Sequence, residues 1–497
     1  MNHVRIIRRL VIGLLGALLC AVMSSCTVGP NYQRPSFEVP SGFKSATTQA
    51  TTQATTQPTL ARDWWRLFGD PTLTTLEEDA VKANTDLQAA MARVAQARAT
   101  ARVTQSQFYP VITLDPSIQR SRSPGGGSSS GTQIVNGQTI SSGSSGGGRT
   151  STSVRIPFDL SYEVDVWGRV RRLYEASLAQ VRATEFDYQV VLQTLEADVA
   201  QDYLSIRSLD AQAQILQKNV ESYRKQVDLT ETQRRAGLVG QTDVLQAQTL
   251  LNSTIAQEVD IRRQRADLEH ALAILLGRPP SEITVLEMPL DLSPPVVPAG
   301  LPAELLRRRP DVAEAEQNLV AANAQVGVAT AQFYPTFRLT GSAGFESIDL
   351  QHALDWQNRI WSIGPSVSFP LFTGGQLQAN LELTKARYAE LSATYRGSVL
   401  AAFRDVEDSL TDLHLRADAA KAQNQAVRYA REYLRLSQVQ YRGGLATYLQ
   451  VIDAERTLLT NELLAVQILN QRLISTVLLI KSMGGGWDVE EGMAMRP

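Results

Sequence analysis

Few residues in this 497-residue chain are arranged to do chemistry. The four histidines, His3, His270, His352 and His414, are scattered, with no cysteine at metal-ligand spacing. There is no Gly-x-Ser-x-Gly nucleophile turn and no Gly-x4-Gly-Lys phosphate loop, so an enzyme is not expected. The formal net charge is −2 and no dense basic run lies beyond the extreme N-terminus, which argues against nucleic acid as a partner. Leu449 and Asp453 suggest electrostatic work instead. They stand four apart, hence on one face of a helix. If that face lined a narrow passage in several copies, the leucines would constrict it and the carboxylates would form an acidic ring. Such a ring focuses negative potential, favouring cations and hindering anions. The bland alternative is a solvated carboxylate near a helix start.

The element that positions this pair occurs twice. Ala236-Gly237-Leu238-Val239-Gly240-Gln241-Thr242-Asp243-Val244-Leu245 is answered by Gly443-Gly444-Leu445-Ala446-Thr447-Tyr448-Leu449-Gln450-Val451-Ile452-Asp453. One offset maps Gly237 onto Gly444, Gly168 onto Gly375 and Asp198-Val199 onto Asp405-Val406, which indicates internal duplication. Each copy ends one long helix at a glycine and starts a shorter one. Asp243 maps onto Gln450, so the two tips differ in charge, and Arg442 or Arg456 are its plausible ion-pair partners.

The first repeat spans 63–276. A helix is expected from Thr72 to Gln107, capped by Asp70 with Pro71 in its first turn. Phe108-Tyr109-Pro110 stops it and the period changes to two. Ile112, Leu114 and Ile118 alternate with polar residues, and Val154, Ile156, Phe158, Leu160 and Tyr162 do so on the returning strand. A β-hairpin at about 109–163 follows, its Gly/Ser-rich stretch 121–150 read as a flexible loop. From Arg171 to Arg235 apolar residues step by threes and fours, which implies a helix roughly 90–100 Å long. A further helix runs from Thr242 to Leu276. A Pro-rich connector (277–301) leads to the second repeat (302–483), with a hairpin at about 335–372, a long helix Gln376 to Arg442 and a last helix to Met483. Residues 484–497 are left as a tail.

Arg5, Arg8 and Arg9, then the apolar run Leu10 to Met23 and Ser24-Ser25-Cys26, read as an export signal (1–25). The run is too short for a spanning helix. A cysteine directly after small residues resembles a bacterial lipobox, which implies cleavage and a covalent lipid on Cys26. No other cofactor is expected. Residues 26–62, with prolines and the Thr/Gln tract Thr47 to Thr59, make an extended tether that cannot bury a core.

Taken together, Cys26-Thr-Val-Gly-Pro-Asn-Tyr32, Trp64-Trp65 to Pro71, Leu305-Leu-Arg-Arg-Arg-Pro-Asp-Val312 and the two Gly-Leu turns resemble the outer membrane factors of bacterial efflux pumps, the TolC-like family in its lipoprotein branch. The resemblance covers essentially the whole mature chain. Four strands of about ten residues suit a bilayer but leave two unpaired edges, which lipid does not tolerate. Two subunits would close a filled eight-stranded barrel and three an open twelve-stranded one; the resemblance implies three.

The expected fold is mainly α with a small β part. It is a homotrimer sharing a 12-stranded β-barrel in outer membrane lipid, continued by a periplasmic α-helical barrel. Leu449, Gln450 and Asp453 then match the family's periplasmic gate, with one acidic ring where some members have two. Asp243, Thr242, Arg442 and Arg456 become a tip lock, and Gly237, Leu238, Gly444 and Leu445 the contact for a periplasmic adaptor (membrane fusion protein). The implied function is a passive exit duct for small molecules from an inner-membrane pump of the RND type. The alternatives are a type I protein-secretion duct and a lipidated coiled-coil tether with no pore.

Overall fold

The two glycine turns form as their sequences require. At the first, Gly237 has φ 75° and its amide bonds the Arg234 carbonyl at 2.9 Å, while Leu238 N–H reaches the Gln233 carbonyl at 2.9 Å. At the second, Gly444 has φ 72°, with Gly444 N–H to Tyr441 at 3.0 Å and Leu445 N–H to Gln440 at 2.8 Å. Both are left-handed closures of a helix that only glycine makes without strain.

The computed structural model describes residues 27–36, 40, 42–44, 61–123, 132–135, 138–141, 149–297 and 308–487. The signal segment 1–25, Cys26, the Thr47–Thr59 tract, Leu305 to Arg307 and residues 488–497 lie outside them. Seven helices are labelled here: α1 Pro71–Ala83, α2 Thr85–Gln105, α3 Arg169–Arg235, α4 Gln241–Leu275, α5 Pro310–Ala331, α6 Gln376–Arg442 and α7 Tyr448–Ser482. The strands are β1 Val111–Leu114, β2 Ser117–Ser123, β3 Thr132–Val135, β4 Gln138–Ser141, β5 Arg149–Val164, β6 Thr336–Ser347 and β7 Arg359–Ser368. The described chain falls into two compact units.

One unit comprises residues up to 33, 99–178 and 320–389. Its sheet has the order β1-β5-β6-β7, with β2 also on β5, every pairing antiparallel. The single strand expected after Tyr109 is divided at Asp115-Pro116, where proline cannot donate to the ladder. The Gly/Ser stretch is not all loop: β3 pairs with β4. The signal was in the sequence, since Asn136-Gly137 between β-branched residues is a hairpin signature. The start of the tether is fastened here. Val28 N–H bonds the Trp167 carbonyl at 3.0 Å, Arg172 reaches Asn31 Oδ1 at 2.7 Å, and Asn323 donates to the Pro30 carbonyl at 2.9 Å. Gly29 (φ 98°) lies so close to Gly327 that a Cβ would stand 2.5 Å from its Cα.

The other unit comprises 34–98, 179–319 and 390 onward. Its largest core joins Trp64, Trp65 and Phe68 to Leu73, Leu87, Tyr203, Leu204, Leu272, Leu473 and Ile480. Asp70 caps α1, accepting from Thr72 N–H at 2.8 Å, and takes the Tyr203 hydroxyl at 2.6 Å. The helix expected from Thr72 to Gln107 is broken at Asn84, which turns extended (ψ 130°). Asn84 Oδ1 accepts from Leu87 N–H and its amide donates to the Leu275 carbonyl, both at 2.9 Å. This one side chain ends α1, starts α2 and ties both to α4.

The connector is strapped rather than free. Arg265 bonds Asp210 at 2.6 Å and the Val285 carbonyl at 2.6 Å, and Arg207 reaches the Pro289 carbonyl at 2.8 Å. The start of the tail also packs: Trp487 is buried edge-on to Phe186 at 5.6 Å, and Gln193 holds the Gly484 carbonyl. Helix α7 has the length and apolarity to cross a membrane, yet its Leu473, Val477 and Ile480 belong to this core.

Candidate functional site

The register of the sheet converts alternation along each strand into two opposed faces. Directly opposite residues share a face. One row runs Ile112, Leu160, Gly341, Ile363, and the next runs Leu114, Phe158, Ala343, Trp361. Between them, on the other face, lie Thr113, Asp159, Ser342 and Ser362. Much of the apolar face is bare: Trp361 is 76% exposed and Ile363 69%, although Val154 is buried. The polar face carries Arg155, Asp159, Glu163, Arg338 and Glu346. Among the described residues, β1 and β2 pair only with β5 and β7 only with β6, so both margins of the sheet are open. A sheet greasy on one side, charged on the other and unclosed suits a segment of wall between lipid and water.

The helix tips form in the other unit. A small core of Tyr223 and Val227 (α3), Ala247 and Leu250 (α4), and Tyr448, Val451 and Ile452 (α7) is flanked by Leu434 and Tyr441 of α6. Leu449 and Asp453 are exposed on one side of α7, Leu449 at 57%. Asp453 Oδ2 accepts from the Tyr433 hydroxyl of α6 at 3.3 Å. Gln450 is half-buried beside them. Leu238 and Leu445 are the most exposed large apolar residues of the tips, at 75% and 85%, on the turns made by Gly237 and Gly444.

The structure gives Asp243 a different partner from the one expected. Its Oδ2 accepts from Gly240 N–H at 3.1 Å, completing the first turn of α4. Arg442 Nε donates to the Gln438 carbonyl of its own helix at 3.2 Å, and Arg456 and Thr242 are exposed. Among the described residues, Asp243 therefore makes no ion pair with Arg442 or Arg456 within one chain. Tyr441 instead links the tips. Its hydroxyl donates to Gln233 Oε1 at 3.2 Å and its ring lies 5.6 Å from Tyr448. Burial, then the nearby Asp243 carboxylate, pushes the Tyr441 hydroxyl above the usual tyrosine range.

Sequence reasoning missed Tyr433, Tyr441 and, above all, Glu455. Glu455 is buried among the tip helices, and burial raises its carboxyl to about 7. The signal was an acid inside the apolar series Tyr448, Val451, Ile452, Leu459. Among the described residues, no group of three or more His, Cys, Asp or Glu could hold a metal ion.

An open amphipathic sheet and helix tips presenting a carboxylate suit a channel protein. The model of the outer membrane efflux protein family matches residues 76–278 and 301–485, and the chain belongs to that family. It is 33% identical to the solvent efflux pump outer membrane protein SrpC of Pseudomonas putida, over 95% of this chain and 97% of that one. It is 34% identical to the pyoverdine export outer membrane protein OpmQ of Pseudomonas aeruginosa, over 88% and 90%. The outer-membrane channel OprN superposes with a TM-score of 0.82 at 31% identity, covering 93% of this chain and all of that one. The expected TolC-like fold and outer membrane location hold, and the chain is an outer membrane efflux channel protein.

Proposed function

We propose that three copies close a twelve-stranded barrel and that the duct so formed passively discharges small molecules. They are delivered by an inner-membrane pump, of the RND type, through a periplasmic adaptor. The open margins of the amphipathic sheet carry this reading, because each unpaired backbone N–H or C=O along a strand edge costs several kcal/mol in lipid and must find a partner. Three four-stranded sheets give the smallest symmetric closure with an open lumen. The relatives named for solvent efflux support small cargo over protein. Cys26 carries the lipid anchor.

The gate is the exposed side of α7 at Leu449, Gln450 and Asp453, with Tyr433 holding the Asp453 carboxylate. The tip lock is a contact between subunits, where Asp243 and Thr242 of one copy meet Arg442 or Arg456 of another. Such exposed pairs are worth only about 0–1 kcal/mol each, which suits a closure meant to open. Gly237-Leu238 and Gly444-Leu445 are the knobs that meet the adaptor.

The deciding experiment combines mass and current. Detergent-extracted protein is expected to be a trimer that conducts weakly in a bilayer, and Leu449→Ala with Asp453→Ala is expected to raise the conductance. A monomer with no pore current would sink the reading and leave a lipidated tether. Unchanged current in the double variant would misplace the gate, and unchanged conductance in Asp243→Ala would remove the lock.

A further inference from the structure

The tip holds a second acid that the gate does not use. Glu455 lies two residues past Asp453 on α7, on the other side of the helix, and is 6% exposed. Its companions on that side are Tyr448, Val451, Ile452 and Leu459, all buried. Tyr223 and Val227 of α3, Ala247 and Leu250 of α4, and Leu434 and Tyr441 of α6 complete the packing. Among the described residues, Glu455 Oε2 has no hydrogen-bond partner, and neither has the Tyr223 hydroxyl.

Among the described residues, no cation pairs with the carboxyl. Arg456 beside it is exposed, and Arg431 of α6 is held by Glu462 at 2.8 Å. The other ionisable groups around the cluster are Tyr223 from α3, Tyr448 from α7 and Tyr441 from α6, with Asp243 of α4 acting on Tyr441. All three tyrosines are neutral in the working range, so the carboxyl is the group that changes charge.

The duplication supplies an internal comparison. The offset that maps Gly444 onto Gly237 maps Glu455 onto Gln248 of α4, whose amide donates to Glu231 Oε1 at 3.2 Å. The first repeat thus uses a neutral amide where the second uses an acid. An amide copies the shape of a protonated carboxyl but cannot ionise. A neutral carboxyl is tolerated in this packing, whereas an unpaired carboxylate is not, because its desolvation goes uncompensated.

We propose that Glu455 is a protonation switch for the tip, its neutral form packing the helices closed and its ionised form driving them apart. This rests on the gate reading above. Burial places the change near neutral pH, the carboxyl standing at about 7. The sign is fixed: closure is complete while Glu455 is protonated and is lost as pH rises through that value.

The test uses the full-length trimer in a planar bilayer, with the tip side stepped from about pH 5.5 to about pH 8.5. Trypsin cutting after Arg234, Arg235 and Arg442 gives a second readout that needs no current. Wild type is expected to conduct, and to be cut, about tenfold more at the upper end, a factor equal to one unit of proton linkage. Glu455→Gln is expected to hold the low level throughout, both proteins being compared at each pH to cancel the protease's own pH dependence. A flat wild-type curve, or a Glu455→Gln curve that follows wild type, overturns the switch. Absence of current at every pH counts against the duct, while pH-dependent cutting of wild type alone still supports the switch.

Discussion

Asp453 is exposed, shares a side of α7 with Leu449 and is bonded by Tyr433, so its charge is both solvated and oriented. Asp453→Asn is expected to lower the cation-over-anion permeability ratio of the pore, measured as reversal potential in a salt gradient. The change should shrink at high salt, because a Debye length of about 3 Å at 1 M hides one side of the mouth from the other. An unchanged ratio at low salt would return Asp453 to the status of a solvated surface acid. Gly29 is a residue of a different kind, kept for its shape. Its φ of 98° and the approach of Gly327 leave no room for a side chain. Gly29→Ala is expected to cost more than about 1 kcal/mol from the backbone alone. It should free the tether, seen as faster proteolysis between residues 27 and 62 and a lower thermal midpoint. Proteolysis at the wild-type rate would refute that packing role.

At the scale of elements, two buried acids face each other between α1 and α3. Glu77 is fully buried, both its carboxyl oxygens unpartnered among the described residues, and Glu196 is 7% exposed, bonded by Trp64. Burial, with the charge of Glu196, holds Glu77 well above the usual carboxylate range, and burial pushes Glu196 up to about 7. A raised carboxyl binds its proton longer in the folded state. The contribution of Glu196 is full below the unfolded value of about 4.5 and is lost as pH rises through about 7, on the order of 3 kcal/mol. The thermal midpoint of wild type is expected to fall from pH 5 to pH 8 more steeply than that of Glu196→Gln. Equal slopes would show that the pair is not the linked site. How legible these elements were depended on whether their causes are local. The glycine turns, the second long helix Gln376–Arg442 and the alternating strands could be read directly, because periodicity and left-handed glycines are properties of neighbours in sequence. The break at Asn84 could not, since asparagine stops the helix by reaching Leu275 far along the chain. Glu455 was legible only in part: its place in the apolar series of α7 is local, whereas its burial depends on the company of α3, α4 and α6.

For the whole molecule, the sheet poses a question of closure. Its two margins, β1 with β2 on one side and β7 on the other, run antiparallel to their neighbours, and three antiparallel steps separate them, so the margins run opposite to each other. A β7 margin can therefore take the β1 margin of another copy without reversing the alternation of pairs, and the same junction repeated three times closes the ring. The apolar rows would then continue around one side and the polar rows around the other. Cysteine pairs scanned over Val111–Leu114 on β1 and Pro365–Ser368 on β7, in protein left in the outer membrane, are expected to cross-link at one register. The products should run as two and three linked chains and no more, because a closed ring of three has three junctions. A ladder extending past three would indicate an open, head-to-tail sheet. Cross-linking at no register, with intact protein in the membrane, would mean that each chain seals its own margins, and the shared barrel would have to be abandoned.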